Sequence, residues 1–71
     1  MIGKILKTMR KNKKLNQKQL GSIIGVAQTT LSGYETGYSN PDFALIKKIA
    51  DSCDYDIVFI NRNTKEKIIA K

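Results

Sequence analysis

The chain has 71 residues, of which 13 are Lys or Arg and 6 are Asp or Glu, giving a net charge of +7, with no histidine and one cysteine. That length fits one domain with a modest core, and a lone thiol excludes a disulfide within the chain. With no histidine base, no metal-ligand cluster, no phosphate-cradling glycine loop and no triad, neither enzymatic chemistry nor a cofactor is expected.

The charge is unevenly placed. The first acid is Glu35, and Lys4, Lys7, Arg10, Lys11, Lys13, Lys14 and Lys18 precede it. This asymmetry suits a polyanionic partner. No apolar run approaches a membrane span, and the start of the chain has no continuous signal-like segment, so a cytoplasmic protein without a membrane partner is expected. At this length a separate sensor domain is not expected either. Binding to a membrane surface is the weaker polyanion reading, because the first helix needs its apolar face for the core and lacks aromatic anchors.

Residues 2–13 read as a first helix. Ile2, Ile5, Leu6 and Met9 share one side, Lys4, Lys7 and Lys11 the other, and Lys14 extends the lysine row. Arg10 stands on the border. After Leu15, Asn16 can cap a second helix, and Gln19 three residues on completes an Asn-x-x-Gln capping-box variant. Residues 17–36, QKQLGSIIGVAQTTLSGYET, read as two short helices across a tight turn. Leu20, Ile23 and Ile24 are apolar at helical spacing, as are Ala27, Leu31 and Tyr34. Gly25 suits a turn with positive φ, and Gly21 allows the helices to cross closely. This is the spacing of a helix-turn-helix unit. On the second of these helices, Gln28, Thr29, Ser32 and Gly33 fall opposite the apolar side. Their amide, hydroxyls and bare backbone can meet base edges, or can simply be a solvated polar face.

Gly37 ends that helix, Tyr38-Ser39-Asn40 is a donor-rich connector, and Asn40-Pro41 reads as the N-cap and N1 of a fourth helix reaching Cys53. Phe43, Leu45, Ile46, Ile49, Ala50 and Cys53 give it a broad apolar side, with Cys53 as a buried thiol. The period then changes. Residues 56–61 are β-branched and aromatic, residues 62–65 are turn-like, and residues 66–70 can return as a second strand, so a β-hairpin is expected. Ile57 and Phe59 fall on one face, Val58 and Ile60 on the other. An isolated two-stranded ribbon is marginal in water, so a homodimer paired through these four residues is expected. The alternative is a hairpin folded onto its own domain.

Residues 15–53 resemble the Cro/repressor-type (XRE-like) helix-turn-helix family of phage and bacterial regulators. The residues that carry the resemblance are Asn16-Gln17, Leu20, Gly21, Gly25-Val26, Gln28-Thr29-Thr30-Leu31-Ser32, Tyr34-Glu35-Thr36-Gly37 and Asn40-Pro41. The resemblance implies a mainly α, four-helix lambda-repressor-like domain, here residues 1–54, and the C-terminal β-hairpin over residues 55–71 is read from the residues themselves. It implies a recognition helix in the major groove of double-stranded DNA, with base contacts from Gln28, Thr29, Ser32 and Gly33. The phosphate-facing set is Gln17, Lys18, Thr30, Tyr38, Ser39 and Asn40. The resemblance also implies a structural ion pair between Arg10 and Glu35. Three features depart from it. Gly33 stands where relatives often carry a long polar or basic side chain, Ala27 stands where a hydroxyl commonly caps the recognition helix, and a hairpin replaces the usual fifth helix. The function implied is a repressor that binds an inverted-repeat operator as a dimer. The alternative is an antitoxin-type module with a toxin protein as partner.

Overall fold

The first helix, α1 (Ile2–Asn12), forms where apolar residues recur every three to four positions, and it buries Leu6 and Met9. Ile5, expected on the same inward side, is half exposed. It sits on the rim of α1, where it lines an open groove with Ile46, Tyr55 and Val58. At Gly3 an added Cβ would press on Glu35 O and stand 2.6 Å from Tyr34 O, so the backbone itself forms this contact between the first turn of α1 and the third helix. Lys14, at φ 62°, then turns the chain out of the helix.

The computed structural model describes residues 1–71, and its next element is α2 (Gln17–Ile24). Both halves of the capping box form: Asn16 Oδ1 accepts from Gln19 N at 2.7 Å, and Gln19 Oε1 accepts from Asn16 N at 2.8 Å. Leu20 and Ile24 are buried, whereas Ile23 faces solvent. Its expected place in the core is corrected: an eight-residue helix offers only a narrow stripe to its neighbours, and Leu20 and Ile24 fill it. The turn closes when Gly25 N and Val26 N donate to Gly21 O at 2.8 and 2.9 Å, with Gly25 at φ 79°. A side chain at Gly21 would meet Val26 O at 2.7 Å, which explains the small residue there.

The third helix, α3 (Gln28–Thr36), buries Leu31 completely and Tyr34 in part. Ala27 was expected inward beside them. Instead it is the exposed N-cap, without a side-chain cap bond, and Val26 packs against the core in its place. Gly37, at φ 85°, terminates the helix.

The fourth helix, α4 (Phe43–Ser52), begins two residues later than expected. Asp42, not Asn40, is the N-cap, and its Oδ1 accepts from Leu45 N at 2.8 Å. A carboxylate at this position bonds a free amide and also answers the positive end of the helix dipole. Pro41 is left as a buried residue of the connector. Leu6, Met9, Leu20, Ile24, Leu31, Ile49, Ala50 and Cys53 form one core to which all four helices contribute.

Strands β1 (Ile57–Ile60) and β2 (Lys67–Ala70) pair antiparallel, with Ile57 opposite Ala70 and Phe59 opposite Ile68. Asn61 shapes the turn, its Oδ1 accepting from Asn63 N and Thr64 N. Ile57 packs against the core, and the Phe59 ring lies 6.3 Å from that of Phe43. An ion pair of Lys13 with Asp54 and a hydrogen bond from Asn12 Nδ2 to Tyr55 Oη (2.7 Å) tie the linker to α1. Beyond these ties the hairpin projects, and the molecule measures 40 × 23 × 19 Å. Phe59, Ile60 and Ile68 each remain more than half exposed.

Candidate nucleic-acid interface

The orientation of α3 follows from what lies behind it. Leu31 is sealed in the core, and Gly3 lets α1 approach the far end of the helix. Side chains on the opposite side of a helix are then turned outward. Gln28, Thr29 and Thr30 are exposed, and Ser32 and Gly33 are half-buried. No acid and no large apolar side chain interrupts this surface between Gln28 and Gly33.

A buried ionic fork fixes the helix from its flank. Arg10 Nε donates to Glu35 Oε2 at 2.6 Å and Nη2 donates to Oε1 at 2.9 Å. Arg10 Nη1 donates to Leu15 O at 2.9 Å, and Gln17 Nε2 donates to Glu35 Oε1 at 3.1 Å. One carboxylate thus joins α1, α2 and α3, and no buried side-chain polar atom lacks a partner. The side chains of Arg10 and Glu35 are 8% and 2% exposed. Burial by itself would raise the Glu35 carboxyl. Hydrogen bonds from Arg10 and Gln17, with the charges of Arg10 and Lys7, outweigh it and hold the group below its ordinary range. The Arg10 guanidinium is raised in turn, chiefly by its hydrogen bonds to Glu35.

The structure places Gln17 in this network, with one amide N–H already given to Glu35. Lys18 beside it is exposed. The connector after α3 folds back: Ser39 N donates to Gly33 O at 3.2 Å, Ser39 is half-buried, and Tyr38 and Asn40 are exposed. The Gln28-to-Gly33 surface and the connector are therefore neighbours. On the hairpin, Ile57 packs against the core, whereas Val58, Phe59 and Ile60 are exposed. Sequence reasoning missed the Gln17–Glu35 bond, the Lys13–Asp54 tie and an apolar groove between α1 and β1 lined by Ile5, Met9, Tyr55 and Val58. The border position of Ile5 on α1 was the available signal for the groove.

A helix-turn-helix family model matches residues 6–60. The chain is 37% identical over 60 residues to the antitoxin PezA of Streptococcus pneumoniae, covering 84% of this chain and 38% of that protein. It is 28% identical over 69 residues to the uncharacterised HTH-type transcriptional regulator YqaE of Bacillus subtilis, covering 96% of this chain and 60% of that protein. It is 33% identical over 49 residues to the HTH-type transcriptional regulator AnsR of the same species, covering 69% and 42%. The chain thus spans between 38% and 60% of the length of these curated relatives. No solved structure matches it. No helix is long and apolar enough to cross a membrane. Matched over most of its length, and carrying the capping box, glycine turn and outward polar helix just described, this chain belongs to the XRE-type helix-turn-helix family.

Proposed function

We propose that the chain is a sequence-specific, double-stranded DNA-binding transcriptional repressor that acts as a homodimer. The observation that carries the reading is the uncharged outer side of α3, set outward by the buried Leu31 and the Arg10–Glu35 fork. Two of its curated relatives are HTH-type transcriptional regulators. In this reading Gln28 and Thr29 choose bases, Ser32 adds a hydroxyl to the same edge, and Gly33 turns its backbone to the groove. Gln17 (through its second amide N–H), Lys18, Thr30, Ser39 and Asn40 hold phosphates and set the register. Selection of bound sequences from a random duplex pool tests the reading, and an inverted repeat is the expected product. Gln28→Ala should cost about 1–3 kcal/mol of discrimination at one base pair per half-site. If the variant keeps the parent's ratio of operator to scrambled DNA, Gln28 does not read a base.

The hairpin supports the dimer. Phe59, Ile60 and Ile68 leave apolar surface in water on both faces of a ribbon too small to be stable alone. Joining two ribbons covers that surface and sets two recognition helices about 34 Å apart on one side of the duplex. Light scattering should give twice the chain mass, falling to one chain mass for Ile68→Lys with the helical signal retained. A parent that scatters as a single chain at micromolar concentration rules the dimer out.

The likeness to the antitoxin PezA favours a second reading, a module that also binds a toxin protein. A toxin gene beside this one, with its product co-purifying with the chain, would support it.

A further inference from the structure

The outer side of α3 has a gap, and a neighbouring residue stands beside it. Gly33 lies one turn after Thr29 and presents no side chain. A Cβ built there would stand 3.2 Å from Ser39 Oγ and 3.7 Å from Tyr38 Cδ2. The backbone bond from Ser39 N to Gly33 O, at 3.2 Å, holds the connector in this position. The edge of the Tyr38 ring therefore lies within ordinary van der Waals reach of a side chain that would begin at position 33, while the residue as a whole is 91% exposed. A phenol this exposed contributes little to the fold, yet it is backed by the reading helix.

We infer that Tyr38 is a base-reading residue, its phenol taking the place in the major groove of the side chain that Gly33 lacks. This rests on the DNA-binding reading above and replaces, for this residue, the phosphate role that the connector alone implies. The chemistry fits. The hydroxyl both donates and accepts, so it can pair with either kind of base-edge group, and the ring can lie against a thymine methyl. A phosphate contact uses the same hydroxyl but carries no base preference. The two roles therefore differ in a measurable way. Gly33 and Tyr38 are also neighbours: a long side chain at position 33 would begin in contact with the Tyr38 ring and reach the same part of the groove.

The test is duplex selection followed by affinity measurements against single-base variants of the selected operator, for the parent, Tyr38→Ala, Tyr38→Phe, Gly33→Gln and the Gly33→Gln/Tyr38→Ala double variant. Circular dichroism checks that each is folded. Tyr38→Ala should flatten the preference at one base pair of each half-site by about 5- to 100-fold and leave the other positions as they were. Gly33→Gln should alter that same base pair, and in its background Tyr38→Ala should have little further effect. A uniform loss across all sequences, with no change at any single base pair, assigns Tyr38 to a phosphate and overturns the inference. So does an unchanged preference profile, or full additivity of the two substitutions. A parent that selects no motif at all overturns the DNA-reading proposal itself, an outcome separate from any change confined to Tyr38.

Discussion

Glu35→Ala should lower the stability of this domain by about 3–5 kcal/mol, read as a shift in the urea unfolding midpoint. Removing the carboxylate leaves the Arg10 guanidinium buried with only Leu15 O as acceptor, and leaves the Gln17 amide without its partner. Domains of this kind hold about 5–15 kcal/mol in total, so the loss is a large fraction of the whole. Replacing both charges together, Arg10→Met with Glu35→Leu, should recover most of it, because no unpaired charge then stays buried. If the double variant is no more stable than the single one, the cost lies in packing rather than in the stranded charge. The same group sets an acid limit. Its carboxyl is depressed in the folded protein relative to its ordinary value of 4.5. The stability it adds is therefore fully present above that value and disappears as pH falls through the lower folded one. Unfolding followed against pH should show this loss in the parent and lack it in the double apolar variant.

Leu31→Ala should cost about 2–5 kcal/mol, the range for a fully buried leucine cut to the β-carbon. Its effect on DNA should exceed its effect on the fold, because Leu31 is the side chain that seats α3 in the core. A loosened α3 presents Gln28 and Thr29 in many orientations, and affinity then carries the entropy of choosing one. Urea unfolding and operator titration on the same samples measure the two effects. Ser32→Ala, one residue on and half-buried on the outer side, should change stability by under about 0.5 kcal/mol. Equal destabilisation by the two substitutions would mean that α3 is not seated as described.

Most of the fold was legible because its signals are local. The capping box at Asn16 and Gln19, the turn at Gly25 and the helix stop at Gly37 each depend on a few adjacent residues, and each formed. The change of period after Cys53 likewise marked the hairpin before any tertiary contact was known. The errors fall where two local solutions compete or where a neighbour decides. Asn40-Pro41 and Asp42 both suit a helix start, and the sequence does not say how far the connector must travel from α3 before α4 begins. Ala27 and Val26 are both small and apolar, and only the geometry of the turn selects Val26 for the interior. Ile5 and Ile23 lie on the edges of otherwise sound apolar stripes, where burial depends on which element happens to lie alongside. The outer side of α3 was legible as a pattern of residue types. The approach of Tyr38 to Gly33 was not, because it depends on the path of the connector.

Every member of the eight-residue core lies between Leu6 and Cys53, and the hairpin adds only Ile57 at its margin. Residues 58–71 therefore supply no member of that core. Under the proposed pairing of hairpins, the tail can be rewritten, and with it the preference for a partner subunit, while the helical core stays intact.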